Sequence, residues 1–166
     1  QLIDQSKLLE KLNLHDGLST ISSVELSFKR DARDSFLSPN KGWLHGINLK
    51  YAGGPLLRGD NSFLKLSSDI RYYNPIGSSV IAFALRTGYA HGLRLPKEED
   101  IISLERFQAG GSTTIRGYKE RSLGPTDEFG LHRGNIQLIF NAEWRFPIYN
   151  VSLAQVYLPK KIGGVV

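Results

Sequence analysis

Cysteine is absent from the 166 residues, which excludes a disulfide framework, a thiolate metal site and a cysteine nucleophile. That absence suits a chain that crosses an oxidising compartment such as a periplasm without forming stray bridges. Long apolar runs are also missing. No stretch approaches the ~18 to 20 consecutive apolar residues of a membrane-spanning helix, so a helical membrane protein is excluded. The N-terminus lacks the basic, apolar and small-residue layout of a signal peptide. The chain begins at Gln1 rather than Met, and the expectation is either a processed export signal or a start inside a longer chain. Runs of like charge are missing too. The formal net charge of +5 is spread over scattered Lys and Arg among 16 acids, which argues against nucleic acid as a partner.

Recognisable catalytic constellations are equally scarce. His15, His45, His91 and His132 have no ligand spacing and read as solvated or interfacial histidines, so neither a metal nor a cofactor is expected. The hydroxyls of Gly110-Gly111-Ser112-Thr113-Thr114 do not form a nucleophile elbow, and no phosphate-binding loop is present. The chain is not expected to be an enzyme. Composition, with 40% apolar and 22% charged residues, would by itself permit a soluble globule.

What the chain does have is two-residue alternation, the period of a β-strand. Between Asn135 and Phe146 one face carries Ile136, Leu138, Phe140, Ala142, Trp144 and Phe146. The other carries Asn135, Gln137, Ile139, Asn141, Glu143 and Arg145. The same pattern sets Leu64, Leu66, Ile70 and Tyr72 against Lys65, Ser67, Asp69 and Arg71, and Ile81, Phe83, Leu85 and Tyr89 against Ala82, Ala84, Arg86 and Gly88. Trp43, Ile47, Leu49 and Tyr51 oppose Gly46, Asn48 and Lys50, while Val24, Leu26 and Phe28 oppose Ser23, Glu25, Ser27 and Lys29. Strands are therefore predicted near 20–30, 43–52, 63–73, 79–92 and 135–148, with a weaker sixth near 153–166.

A soluble β-sandwich also alternates, but two features favour a transmembrane β-barrel. The strands match the ~9 to 11 residues that cross a bilayer at a tilt. Aromatics also gather at their ends, as Trp43 and Tyr51, Tyr72 and Tyr73, Tyr89, and Trp144 with Phe146 and Tyr149, where interfacial girdles belong. The polar face holds too many charges for a packed core and needs a wet lumen. Connections alternate as well. A tight turn is expected at Tyr73–Ser78 and a long loop over 93–134, in the manner of barrels with short periplasmic turns and long extracellular loops. The connection 31–42 then falls on the periplasmic side and 52–61 on the outside.

The long loop contains Arg106-Phe107-Gln108-Ala109-Gly110-Gly111, then Ile115-Arg116-Gly117-Tyr118 and Gly124-Pro125. Asp31-Ala32-Arg33-Asp34 with Pro39-Asn40-Lys41-Gly42 precedes it, and Glu143-Trp144-Arg145-Phe146-Pro147 follows. In that order these segments resemble the R-F-x-x-G-G…[VI]-R-G-[FY]…G-P loop, the D-x-R-D…P-x-x-G turn and the E-x-R-F-P strand end of the outer-membrane insertase and translocase superfamily, also called the bacterial surface antigen barrels. That superfamily includes the barrels of the β-barrel assembly machinery and of the translocation-and-assembly module, the two-partner-secretion transporters, and organelle cousins.

The resemblance implies an outer-membrane barrel, bacterial or organellar, that inserts outer-membrane proteins or translocates polypeptides. Its implied partners are membrane lipid, unfolded polypeptide clients, upstream periplasmic domains and accessory assembly proteins. An alternative is the barrel anchor or pore of a patatin-like lipase fusion, whose catalytic residues would lie upstream. The resemblance also implies a complete barrel of sixteen strands, of which this chain would supply about the eighth to the thirteenth, with its long loop folded into the lumen.

The implied site is the loop motif Gly110, Gly111, Ile115, Arg116, Gly117 and Tyr118. Arg116, a planar fork of donors, is expected to pair with Glu143 on the lumen face. The aspartate that the family carries on the following strand is not found before the chain stops at Ile162–Val166. Asp31, Arg33, Pro39 and Gly42 are read as shaping a periplasmic turn rather than as a functional site. The helix-like Leu8–Leu12 has no assigned place.

Overall fold

The computed structural model describes residues 20–94, 101–126 and 130–148, together with a strand at Ile162–Val165. The Leu8–Leu12 segment, Tyr149, and the start of the sixth predicted strand lie outside the described residues. The chain is all-β. Strands β1 (Ser23–Asp31), β2 (Gly42–Ala52), β3 (Phe63–Ile76), β4 (Ser79–Gly92), β5 (Ile136–Ile148) and β6 (Ile162–Val165) form one sheet in sequence order. The only helical turn among the described residues is the three-residue 3₁₀ segment Ser103–Glu105.

From β1 to β4 sequence order follows from the connections, since neighbouring strands joined by short turns pair antiparallel, and β4 meets β5 across the long loop, where Ala90 N–H donates to the Asn135 carbonyl at 2.7 Å. Ala32 N–H donates to the Trp43 carbonyl at 2.8 Å and Gly53 N–H to the Ser22 carbonyl at 2.9 Å, which fixes one antiparallel register between β1 and β2. Arg145 lies opposite Val165 and Ile148 opposite Ile162, so β5 and β6 are antiparallel as well.

Side chains of β5 sort by parity as the alternation requires, whereas every residue of β1 is exposed. Along β5 the even positions Ile136, Leu138, Phe140 and Trp144 are exposed, while Gln137, Ile139, Asn141, Glu143 and Arg145 are covered or partly covered. Ile136 and Leu138 each keep 73% of their surface. In water, so large an uncovered apolar face would drive association. A strand whose apolar side is the bare one and whose polar side is the covered one is built for lipid outside and a wet interior.

Two details differ from the sequence expectation. β3 continues through Asn74-Pro75 to Ile76, and Gly77-Ser78 alone make the reversal, with Gly77 at φ 59°. Proline fits there because its fixed φ is compatible with a strand end, where no ladder donor is required. Tyr73, expected in an interfacial girdle beside Tyr72, is instead buried. It is an odd position of β3, so it shares the polar face with Asp69 and Arg71, packs with Val80 and Ala82, and lies under the Arg145 guanidinium at 5.4 Å.

Contacts group the chain into two compact units. One comprises residues up to Phe28 with Ile47–Ser68 and Arg86–Ile139; the other comprises Lys29–Gly46, Asp69–Leu85 and the residues from Phe140 onward. The first has a core of Ala52, Phe63, Ala90 and Ile101, against which Ile21 and Phe107 pack. The second has the Tyr73, Val80 and Ala82 cluster.

Candidate functional site

In the first unit the loop after β4 lies along the polar sides of β2, β3 and β4 and is fastened at its beginning. Ile101 is fully buried among Ala52, Phe63 and Ala90. Four residues on, the Glu105 carboxylate takes Lys50 on one oxygen and Lys65, at 3.1 Å, on the other. All three side chains are roughly four-fifths covered. Burial works against ionisation of Glu105, but the hydrogen bonds and charges of Lys50 and Lys65 together outweigh it. They hold its carboxyl below the usual carboxylate range.

Phe107 sits where a side chain on β4 would be. A Cβ built on Gly88 would lie 2.5 Å from the Phe107 ring, so the glycine opens the seat the ring fills. The Lys65 ammonium lies 4.9 Å from the ring centroid on the way to Glu105. The Phe107 backbone pairs with Gly134 through two bonds of 2.9 Å, and Gln137 Nε2 donates to the Gln108 carbonyl at 2.8 Å. Both ends of the loop are therefore stitched to each other and to β5.

The family-like motif lies beyond this root. Gly110 at φ 104° and Gly111 at φ 98° take backbone conformations that residues with a Cβ avoid. The space beside Gly111 is occupied by the Glu120 carboxylate, which accepts from the Ser112 N–H at 3.0 Å. Thr114 Oγ1 accepts from Gly110 N–H and donates to its carbonyl, and a bridge joins Gly111 to Ile115. Arg116, Gly117 and Tyr118 follow on an exposed segment, with Gly117 at φ 86° and no atom within 4 Å of a Cβ placed there.

In the second unit Glu143 receives the Arg145 fork on Oε2 at 2.8 and 3.1 Å. The same arrangement of an acid two residues before an arginine recurs as Asp69 with Arg71 and Asp31 with Arg33, each at 2.6 Å. Residues two apart on a strand share a face, so the forks on Glu143 and Asp69 each balance charge on the polar wall, while the Asp31 fork reaches from the end of β1 into the turn. The turn between β1 and β2 is tightly specified. Asp34 accepts the N–H groups of Asn40 and Lys41 at 2.9 and 3.1 Å, and these backbone bonds lower its pKa. Pro39 is buried, Gly42 has φ 106°, and a Cβ at Gly42 would strike the Ala32 backbone. Arg33, its pKa raised by the Asp31 hydrogen bonds, is 6% exposed in its side chain and lies over Phe36. Asp31, Arg33, Pro39 and Gly42 thus meet in one turn.

Glu105, Lys50, Lys65 and Gly88 were not singled out as a site from the sequence. Lys50, Lys65 and Gly88 fell on the polar faces, but Glu105 is separated from its lysines by forty residues or more, and no local spacing connects them. No cluster of three or more metal-ligating side chains is present among the described residues.

The comparisons agree with this arrangement. Residues 2–158 match the Omp85 superfamily domain. A SAM50-like protein of Schizosaccharomyces pombe is 30% identical over 149 residues, covering 88% of this chain and 31% of that protein. The outer membrane protein assembly factor BamA of Nitratidesulfovibrio vulgaris is 28% identical over 138 residues, covering 82% and 17%. The crystal structure of Haemophilus ducreyi BamA lacking POTRA domains 1–3 superposes with a TM-score of 0.65 at 19% identity over 78% of this chain and 26% of that one. The chain spans less than a third of the length of each of these relatives. The match over nearly all its length, on a sheet of the same fold, places this chain in the Omp85 superfamily.

Proposed function

We propose that the protein containing this chain assembles β-barrel proteins into an outer membrane, bacterial or mitochondrial, and that this chain supplies part of its barrel wall together with the loop that folds onto it. The observation that carries the reading is the division of labour between faces. The apolar face is left bare for lipid, while the polar face is covered by the protein's own loop through Glu105, Phe107 and Gln108. The clients are unfolded polypeptides with outer-membrane strands, and the work is non-covalent. Periplasmic domains upstream and accessory assembly proteins belong to the same proposal.

Within it, the motif residues Gly110, Gly111, Ile115, Arg116, Gly117 and Tyr118 shape and present the loop tip, and Arg116 is tethered by Glu143. A double-mutant cycle on loop protection from protease tests the tether, and additive effects of Arg116→Ala and Glu143→Ala would remove it. The curated relatives named above are a SAM50-like protein and an assembly factor, and nothing favours a lipase anchor.

The function is tested by reconstituting the full-length protein in vesicles with a urea-unfolded barrel client. Accelerated appearance of the heat-modifiable, protease-resistant client supports assembly. A client delivered unfolded into the vesicle interior supports secretion instead.

A further inference from the structure

One cluster on the apolar face carries charge. The register fixed by the Ala32–Trp43 and Gly53–Ser22 bonds sets Val24 opposite Tyr51, Leu26 opposite Leu49, Phe28 opposite Ile47 and Arg30 opposite His45. Three apolar rows therefore give way to one basic row beside the β1–β2 turn. Arg30 is exposed, and its guanidinium carbon lies 5.0 Å from the Trp43 ring centroid. His45 meets the same indole edge-on at 6.4 Å and 64°. Among the described residues no carboxylate pairs with Arg30. The acids of β1, Glu25 and Asp31, are odd positions on the opposite face, where they accept from Asn48 and Arg33.

We propose that Arg30, with Trp43 and His45, binds the phosphodiester of an anionic glycerophospholipid in the leaflet beside the β1–β2 turn. A strand advances ~3.3 Å per residue, so the guanidinium stands about two residues beyond Phe28, the last apolar side chain on its side of β1. Phosphates lie just outside the acyl region at that depth. A planar fork of donors suits a phosphate bidentately. The indole holds the cation against the wall through its ring face, at the level where tryptophan prefers to sit. Charge decides the occupant: among the described residues nothing covers the apolar face, and a cation on its border with no carboxylate beside it faces the anions of the headgroup layer. The proposal rests on the outward orientation of the apolar face.

The test uses the full-length protein purified with mixed phosphatidylglycerol and phosphatidylcholine, with retained lipid read by native mass spectrometry. Preferential retention of phosphatidylglycerol is expected, falling about fivefold or more in Arg30→Gln, as for loss of one charge-assisted contact. Lys29→Gln, the same change of charge one residue away on the opposite face, should leave retention unchanged. Equal retention in Arg30→Gln and the parent overturns the site, as does an equal loss in Lys29→Gln. Displacement of the lipid by millimolar inorganic phosphate overturns the lipid in favour of a free anion. A separate label at Leu26→Cys, quenched by a lipid-borne quencher when the face is outward, distinguishes failure of the orientation from failure of the site.

Discussion

The root and the tip of the long loop obey different rules. At the root, residues 101–108 bury an isoleucine, fill a glycine-made seat with a phenylalanine and neutralise a carboxylate between two lysines of the wall. At the tip, residues 112–118 rely on glycines and short-range hydroxyl bonds for their shape, and Arg116 and Tyr118 are exposed. The root is where packing holds the loop against the strands. The tip is where conformation is prescribed and side chains are displayed. Placement and presentation are thus divided along one loop, and they can be broken separately.

The largest expected effect comes from Phe107→Ala, which removes the ring beside Gly88 and Lys65. Full burial of a phenylalanine would set ~3 to 5 kcal/mol, and partial exposure reduces this to about 2 to 3. Protease cleavage within the loop of the membrane-inserted protein should rise accordingly, with the strands still assembled. Gly88→Val approaches the same seat from the wall. Its Cβ meets the ring at 2.5 Å, so the cost should be about 1 to 3 kcal/mol, again read as loop cleavage. If Gly88→Val left the loop protected, the seat would not be what holds it.

Glu105→Gln should cost about 1 to 2 kcal/mol, between the values for exposed and fully buried pairs. It carries a pH signature. Because the folded-state pKa of Glu105 is lowered, its contribution is fully present above the unfolded value near ~4.3. It is lost as pH falls through the folded pKa below that. Loop protection in the parent should therefore be flat from neutral pH to about 5 and weaken below about 4, while Glu105→Gln should lack that step. The smallest effect on the root is expected from Arg116→Lys. Cleavage at residues 101–108 should stay within ~0.5 kcal/mol of the parent, even where client assembly falls. A large change in root protection would show that tip and root are not separable.

The sheet was legible because a two-residue period leaves little freedom. Once Ile136, Leu138 and Phe140 share a face, Gln137, Asn141 and Glu143 must share the other. Ladder neighbours from β1 to β4 follow from short connections. The differences arose where a residue's type suggested one place and the continuing period of β3 imposed another. Tyr73 carries an aromatic ring and sits near a strand end, which resembles a girdle residue, but parity put it on the inner face. Asn74-Pro75 resembles a turn, yet both residues have extended conformations available, and the glycine after them takes the positive φ. The motif glycines announced the shape of the tip, since positive φ at Gly110, Gly111 and Gly117 is a local requirement. The seat of the root was not legible. Lys50, Gly88 and Glu105 come from three separate segments, and only folding brings them together. The Arg145 fork on Glu143 was passed over in favour of Arg116, although two residues apart on a strand means the same face.

Site-directed spin labelling along β5 in the full-length protein tests the central claim most directly, comparing Leu138→Cys and Phe140→Cys with Gln137→Cys and Asn141→Cys. The account predicts that labels at 138 and 140 collide with oxygen dissolved in the lipid and are shielded from a water-soluble nickel chelate. Labels at 137 and 141 should show low oxygen collision, and the label at 137, whose native side chain bonds Gln108 of the loop, should become more accessible to the chelate when Phe107→Ala releases the loop. Chelate access at 138 and 140 with lipid exposure at 137 and 141 would contradict it.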